Sequence, residues 1–183
     1  MLLTGTSRRK AENSMADQKK IAIFGGGTGL SVLLRGLKQH PVDITAIVTV
    51  ADDGGSSGRL RDELKIPPPG DIRNVLAALS DVEPLVEDLF QHRFSKGGDL
   101  IGHSLGNLIL AAMTNITGDF FHAVTEMSKV LNVRGRVLPA ANTSVVLHAE
   151  MDDGQIISGE STIPSYGKRI KRVFLTPEKI EPV

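Results

Sequence analysis

Four short stretches of the sequence hold residue types suited to a phosphorylated ligand. In "IAIFGGGTGLSVLLRGL", Ile21 to Leu37, the glycines Gly25, Gly26, Gly27 and Gly29 surround Thr28. Backbone this bare lets peptide N–H groups approach an anion closely, and a helix start behind it adds partial positive charge, so the guest it suits is a phosphate. In "ADDGGSSGR", the adjacent carboxylates Asp52 and Asp53 can accept hydrogen bonds from ribose or sugar hydroxyls, or hold a Mg²⁺ against a diphosphate. Arg73 and Asn74 in "IPPPGDIRNVLAALSD", and His103, Ser104 and Asn107 in "GHSLGN", add polar groups at two predicted helix starts.

Each stretch also has a plainer reading. The glycines spell neither G-x-G-x-x-G nor a Walker loop, and a glycine-rich turn can serve close strand–helix packing alone. Asp-Gly-Gly-Ser-Ser-Gly is equally a flexible turn with an Asx cap. Arg73 and Asn74 are equally ordinary solvated helix residues, and a single histidine such as His103 more commonly caps or hydrogen-bonds than catalyses. The five histidines show no zinc spacing.

The elements around these stretches decide how they meet. Ile21 to Phe24 reads as a buried strand, and Leu30, Leu33, Leu34 and Leu37 recur at i, i+3, i+4, i+7 as one face of a helix. "VDITAIVTV", Val42 to Val50, is a nearly unbroken apolar and β-branched run, as in a central strand covered on both faces. Strand, helix and strand form a βαβ unit, whose parallel strands deliver their following residues to one edge. Those residues are the glycine turn and the Asp52–Asp53 pair, and their co-location favours the binding reading. Three prolines then give a stiff approach to a helix with Asp71 as N-cap and Ile72, Val75, Leu76 and Leu79 as its apolar face.

A helix over Glu83 to Gln91 follows, then one with Leu105, Leu108, Ile109, Ala112 and Met113 on one side, then one through Phe120, Val124, Met127 and Leu131. "TSVVLHAEMDDGQIISGES" reads as a hairpin turning at Asp153–Gly154, and "RIKRVFL" as another strand. The fold class is therefore α/β with a late β-hairpin extension. Residues 1–19 read as a polar, disordered leader, with Met15 a second start codon position, and residues 20–183 as the α/β domain.

Composition narrows the function. The chain of 183 residues balances 21 basic against 21 acidic side chains, so no bulk nucleic-acid partner is expected. It has no cysteine and no long apolar run, which removes thiol chemistry, disulfides and a membrane span, and points to the cytoplasm.

"AIFGGGTGLSVLLRGLK", "VTVADDGGSSGRLRDE", "PPPGDIRNVLAALS", "GHSLGNLILAA" and "LPAANTSVVLHAEMDDG", in this order, resemble the YvcK/CofD-like family over Lys20 to Val183, and specifically its YvcK branch of gluconeogenesis factors. The resemblance implies a Rossmann-like three-layer fold with a mainly parallel sheet and a nucleotide-related ligand at the strand edges. It implies a protein that binds UDP-N-acetylglucosamine and serves cell shape and morphogenesis under gluconeogenic growth. It requires no cofactor, with Mg²⁺ accompanying the ligand through Asp52 and Asp53. On that reading Gly25 to Gly29 and Thr28 meet the diphosphate, and Asp52, Asp53, Arg73, Asn74, His103, Ser104 and Asn107 meet other polar edges. No nucleophile–base pair is evident. The alternative is an enzyme like the CofD branch, a 2-phospho-L-lactate transferase acting at a diphosphate with Mg²⁺ and with His103 as acid or base. Family members are longer and carry a second glycine-rich segment that is missing here, so the chain is expected to be the N-terminal part of a longer domain. A homo-oligomer and cell-wall or morphogenesis proteins are the remaining expected partners.

Overall fold

A computed structural model of the protein describes residues 18–183, so nearly all of the expected leader, Met15 included, lies outside the described residues. β1 (Lys19–Gly25), α1 (Gly27–Leu37) and β2 (Val42–Val48) form the expected parallel βαβ unit. The chain then runs through α2 (Gly55–Leu64), α3 (Gly70–Leu79), α4 (Pro84–Gln91), α5 (Leu105–Thr117) and α6 (Phe120–Val130). It returns as β3 (Arg136–Pro139), parallel to β2, giving a sheet of order β1-β2-β3. β4 (Val146–Met151), β5 (Ile156–Ser158) and β6 (Ile170–Thr176) build a second, antiparallel sheet of order β5-β4-β6.

Register positions the site. Gly25 pairs with Val48, and Val48 with Pro139, so all three parallel strands stop level with one another. Gly26, Thr49 and Ala140 therefore leave the sheet side by side, stitched by the Thr49 N–H donating to the Gly25 carbonyl (2.9 Å) and the Ala140 N–H donating to Val48 (2.8 Å).

The core gathers around α3, where Ile72, Val75, Leu76 and Leu79 are fully buried as their spacing predicts. Its other side is covered as well, a pattern expected of a helix enclosed on all sides. Leu34, Ile44, Val48, Leu110, Phe120 and Val124 pack into the same cluster.

Several expectations are corrected. β1 is an edge strand with Phe24 75 % exposed, not a buried one, because it pairs with β2 on one side only. β2 ends at Val48 and buries one face completely through Ile44, Ala46 and Val48. Its alternate residues Thr45 and Ile47 are half-buried, since the face they share with Phe24 is only partly covered. On α1, Leu30 and Leu34 face the core while Leu33 is 52 % exposed, so the buried stripe is narrower than the leucine pattern suggests. α5 is turned relative to its leucines: Asn107, Leu110, Ala111 and Thr114 are inside, because its first turn buries a polar group described below.

Candidate functional site

A cavity of about 560 Å³ opens between the two sheets, at the C-terminal edge of the parallel one. Gly26, Gly27, Thr49 and Ala140 form one wall, and Leu147, Leu175 and Glu160 from the antiparallel side form the other. A second cavity of about 610 Å³ lies at the opposite end of β2, around Val42 to Ile44, and none of the expected site residues lines it.

Gly26 precedes α1 in extended conformation, and Gly27 begins the helix at φ +65°, a left-handed value that favours glycine. A Cβ on Gly26 would overlap the Thr49 hydroxyl and the Asp71 carboxylate, so these side chains reach the backbone only because the position is bare. Beyond them Thr28 and Gly29 are exposed at the start of α1, where first-turn N–H groups lack partners within the helix. Gly25 is the last residue of β1.

Asp71 does not cap α3. Pro69 holds the cap position, and the Asp71 side chain crosses to the glycine turn, where it accepts from the Thr49 hydroxyl at 3.4 Å. The tertiary partner outcompetes the local cap because the buried prolines bring the start of α3 against the glycine turn. Burial, above all, and the charge of Asp52 raise the Asp71 pKa above the ordinary 3.8, while the nearby Gly27 N–H opposes the shift.

The two adjacent aspartates part company. Asp52 caps its own turn through the Gly54 N–H (2.9 Å), and its other oxygen points towards Gly70, beside Ser57 and Asp71. Asp53 turns the other way and accepts a hydrogen bond from the Ser161 N–H (2.9 Å). Neither aspartate lines the cavity, and nor does Asp71; all three stand close enough to act electrostatically on Glu160, the carboxylate that does line it. Among the described residues no three His, Cys, Asp or Glu side chains form a group that could hold a metal unaided.

Arg73 is 6 % exposed and faces away from the cavity, its guanidinium donating to Gln91 and its stem packed on Gly106. Burial and the nearby Arg93 lower its pKa to about 10. Asn74 is half-buried in the first turn of α3. His103, Ser104 and Asn107 do converge, but in the interior: they are 4 %, 0 % and 1 % exposed. Ser104 caps α5. Asn107 donates to the Ser56 Oγ (3.0 Å), which lies 2.9 Å from His103 Nδ1. With Asn107 donating, the Ser56 O–H is free to donate to Nδ1 of a neutral His103. This group ties α5 to the first turn of α2, and none of the three lines the cavity.

Burial first, then the Arg59 charge, lower the His103 pKa below 6.5. Below that unfolded value the unfolded chain binds more protons than the folded one, so stability falls as the pH drops towards the folded value. Melting temperatures measured from pH 7.5 to 5.5 are expected to fall more steeply for wild type than for His103→Gln. Equal slopes would show that His103 titrates normally.

The sequence reading omitted Thr49, Ser56, Asp71 as a site residue, and Glu160. Ser56 stood inside a singled-out motif, whereas nothing local marks Glu160.

Comparison with known proteins agrees with this architecture. The family model described as 2-phospho-L-lactate transferase CofD matches residues 21–183. The gluconeogenesis factor of Bacillus subtilis (strain 168) is 88 % identical over 169 residues, covering 92 % of this chain and 53 % of the relative. That of Halalkalibacterium halodurans is 72 % identical over 166 residues, covering 91 % and 52 %. A crystal structure of a UPF0052 family member from Bacillus halodurans superimposes with a TM-score of 0.89 at 72 % identity, covering 91 % of this chain and 54 % of that one. The chain thus spans about half the length of the curated relatives it matches. With the family model matched from the first strand to the last residue, and with relatives this similar, the chain belongs to the CofD/YvcK family.

Proposed function

We propose that this chain supplies the phosphate-facing half of a nucleotide-sugar site that binds UDP-N-acetylglucosamine without consuming it. The observation that carries the reading is the approach of bare backbone at Gly26 and Gly27 to a cavity rim where three parallel strands end level. A diphosphate there meets the open first turn of α1, and the apolar wall of Val50, Ala141 and Val145 suits a base or acetyl group. Glu160 lines the cavity with Asp71 and Asp52 near it, so a Mg²⁺, which Asp52 and Asp71 would hold, would offset the repulsion between these carboxylates and a diphosphate. The names of the relatives support a role in gluconeogenic growth, and the family resemblance extends it to cell shape in the cytoplasm.

Ligand and activity are tested with the chain extended to its relatives' full length. At 100 times Kd a ligand stabilises by about 2.7 kcal/mol, which raises Tm by a few degrees in a protein of the relatives' length. UDP-N-acetylglucosamine is expected to give such a shift, reduced by EDTA and insensitive to EDTA in Asp52→Asn. NAD(P)H and phospholactate compounds are expected to give none. No shift with any UDP-sugar would contradict the reading.

The description of the matching family model favours a second reading, a transferase acting at a diphosphate. The Ser56–His103 contact does not supply its nucleophile as it stands, since Ser56 is 4 % exposed and also held by Asn107. Product formation in the same incubations would decide for the enzyme.

A further inference from the structure

We propose that the strap from Gly159 to Ile163 is part of the binding site, latched in place by Asp53 so that Glu160 receives hydroxyl groups of the ligand's sugar. The strap leaves β5 on the antiparallel sheet and is fixed at both ends. The Gly159 N–H donates to the Leu147 carbonyl (2.8 Å), and Ile163 is buried beside Ala149 and Met151. Between these anchors both oxygens of Asp53 are engaged. One accepts from the Ser161 N–H at 2.9 Å, and the other lies against Gly159, whose φ of +101° and lack of a Cβ permit the contact. A bond joining residues 108 apart docks the antiparallel sheet onto the segment that follows β2.

The docked strap carries Glu160 into the lining of the cavity that Gly26 and Gly27 also line. Partial burial, then the charges of Asp71, Asp52 and Asp53, hold its pKa above the ordinary value. A carboxylate in that field repels phosphate and accepts hydrogen bonds from neutral donors. The hydroxyls of a sugar beyond the diphosphate are such donors, and each would gain a charge-assisted bond.

The sugar assignment rests on the nucleotide-sugar reading, whereas the latch does not, and the test separates them. Hydrogen exchange on the ligand-free chain reads the latch. Asp53→Ala is expected to speed exchange of the Ser161 amide by about tenfold or more, the factor that follows from losing a charge-assisted bond. Asp53→Asn, which keeps an accepting oxygen, is expected to retain most of the protection. Unchanged exchange in Asp53→Ala would overturn the latch. Titration of the chain extended to its relatives' length, with Mg²⁺, reads Glu160: Glu160→Gln should weaken UDP-N-acetylglucosamine about tenfold and leave UDP within about twofold. Equal losses for both probes, or none, would overturn the sugar contact. If wild type binds neither probe, the nucleotide-sugar reading falls and the sugar contact with it, while the exchange result still judges the latch.

Discussion

Gly26→Ala is expected to weaken UDP-N-acetylglucosamine by about 100-fold or more, the size of about 3 kcal/mol of lost backbone and charge-assisted bonds, while the protein stays folded. The added methyl group would occupy space held by the Thr49 Oγ1 and the Asp71 Oδ2. Both are ends of side chains, so they can rotate aside and the main chain need not move. Overpacking of this kind costs about 1–3 kcal/mol of stability, which a domain of ordinary stability survives. The displaced Thr49 lines the cavity beside the glycine turn, so its movement changes the surface that a ligand meets there. Gly36→Ala is the control on the same helix. Nothing stands within 4 Å of its Cβ, and alanine in a helix interior is favoured over glycine by about 1 kcal/mol. It should bind as wild type and melt higher. Equal affinity in Gly26→Ala and wild type, by titration, would remove the glycine turn from the site.

Asp71→Asn should stabilise the protein at neutral pH and damage its binding, two effects of opposite sign from one atom pair. The folded-state pKa of Asp71 is raised above 3.8, chiefly by burial and then by Asp52. Between 3.8 and the raised value the folded state holds more protons than the unfolded one, so stability declines as the pH rises through that window. Above it the ionised, buried carboxylate weighs on the fold in full. Asparagine keeps an oxygen that can accept from the Thr49 hydroxyl, without the charge. A gain of about 0.5–2 kcal/mol at pH 7 is expected, at roughly 2–4 °C in Tm per kcal/mol, and it should shrink as the pH falls towards 4. Ligand affinity should drop about 10–100-fold, matching 1.5–3 kcal/mol for a bond to a charged group. Thermal melts from pH 4 to 8 check the first effect and titration the second. A lower Tm for Asp71→Asn at pH 7 would show that the carboxylate supports the fold.

The βαβ unit and its rim were legible because their signals are local: a strand run, a glycine turn, a period of 3.6 and a second strand run follow within β1 to β2. The buried stripe of α3 was legible for the same reason. The antiparallel sheet announced itself through Asp153–Gly154, which does join β4 to β5. What escaped depends on partners far along the chain. Asp71 sits where a cap could be, and only the tertiary approach of Gly26 and Thr49 shows that its carboxylate goes elsewhere. Asp52 and Asp53 are neighbours in sequence, but one side chain reaches Gly70 and the other Ser161, partners that only the tertiary fold brings near. The face of α5 was misjudged because apolar spacing assumes that polar residues go outside. Asn107 is inside, hydrogen-bonded to Ser56 at a separation of 51 residues.

The most direct test of the central claim is a calorimetric titration of UDP-N-acetylglucosamine, with Mg²⁺, into the chain extended to its relatives' length, run beside the same protein carrying Gly26→Ala. Saturable binding by wild type, absent or about 100-fold weaker in the variant, with the ligand recovered intact, is the result predicted. Absence of binding by wild type, binding indifferent to Gly26→Ala, or recovery of a cleaved ligand would contradict it.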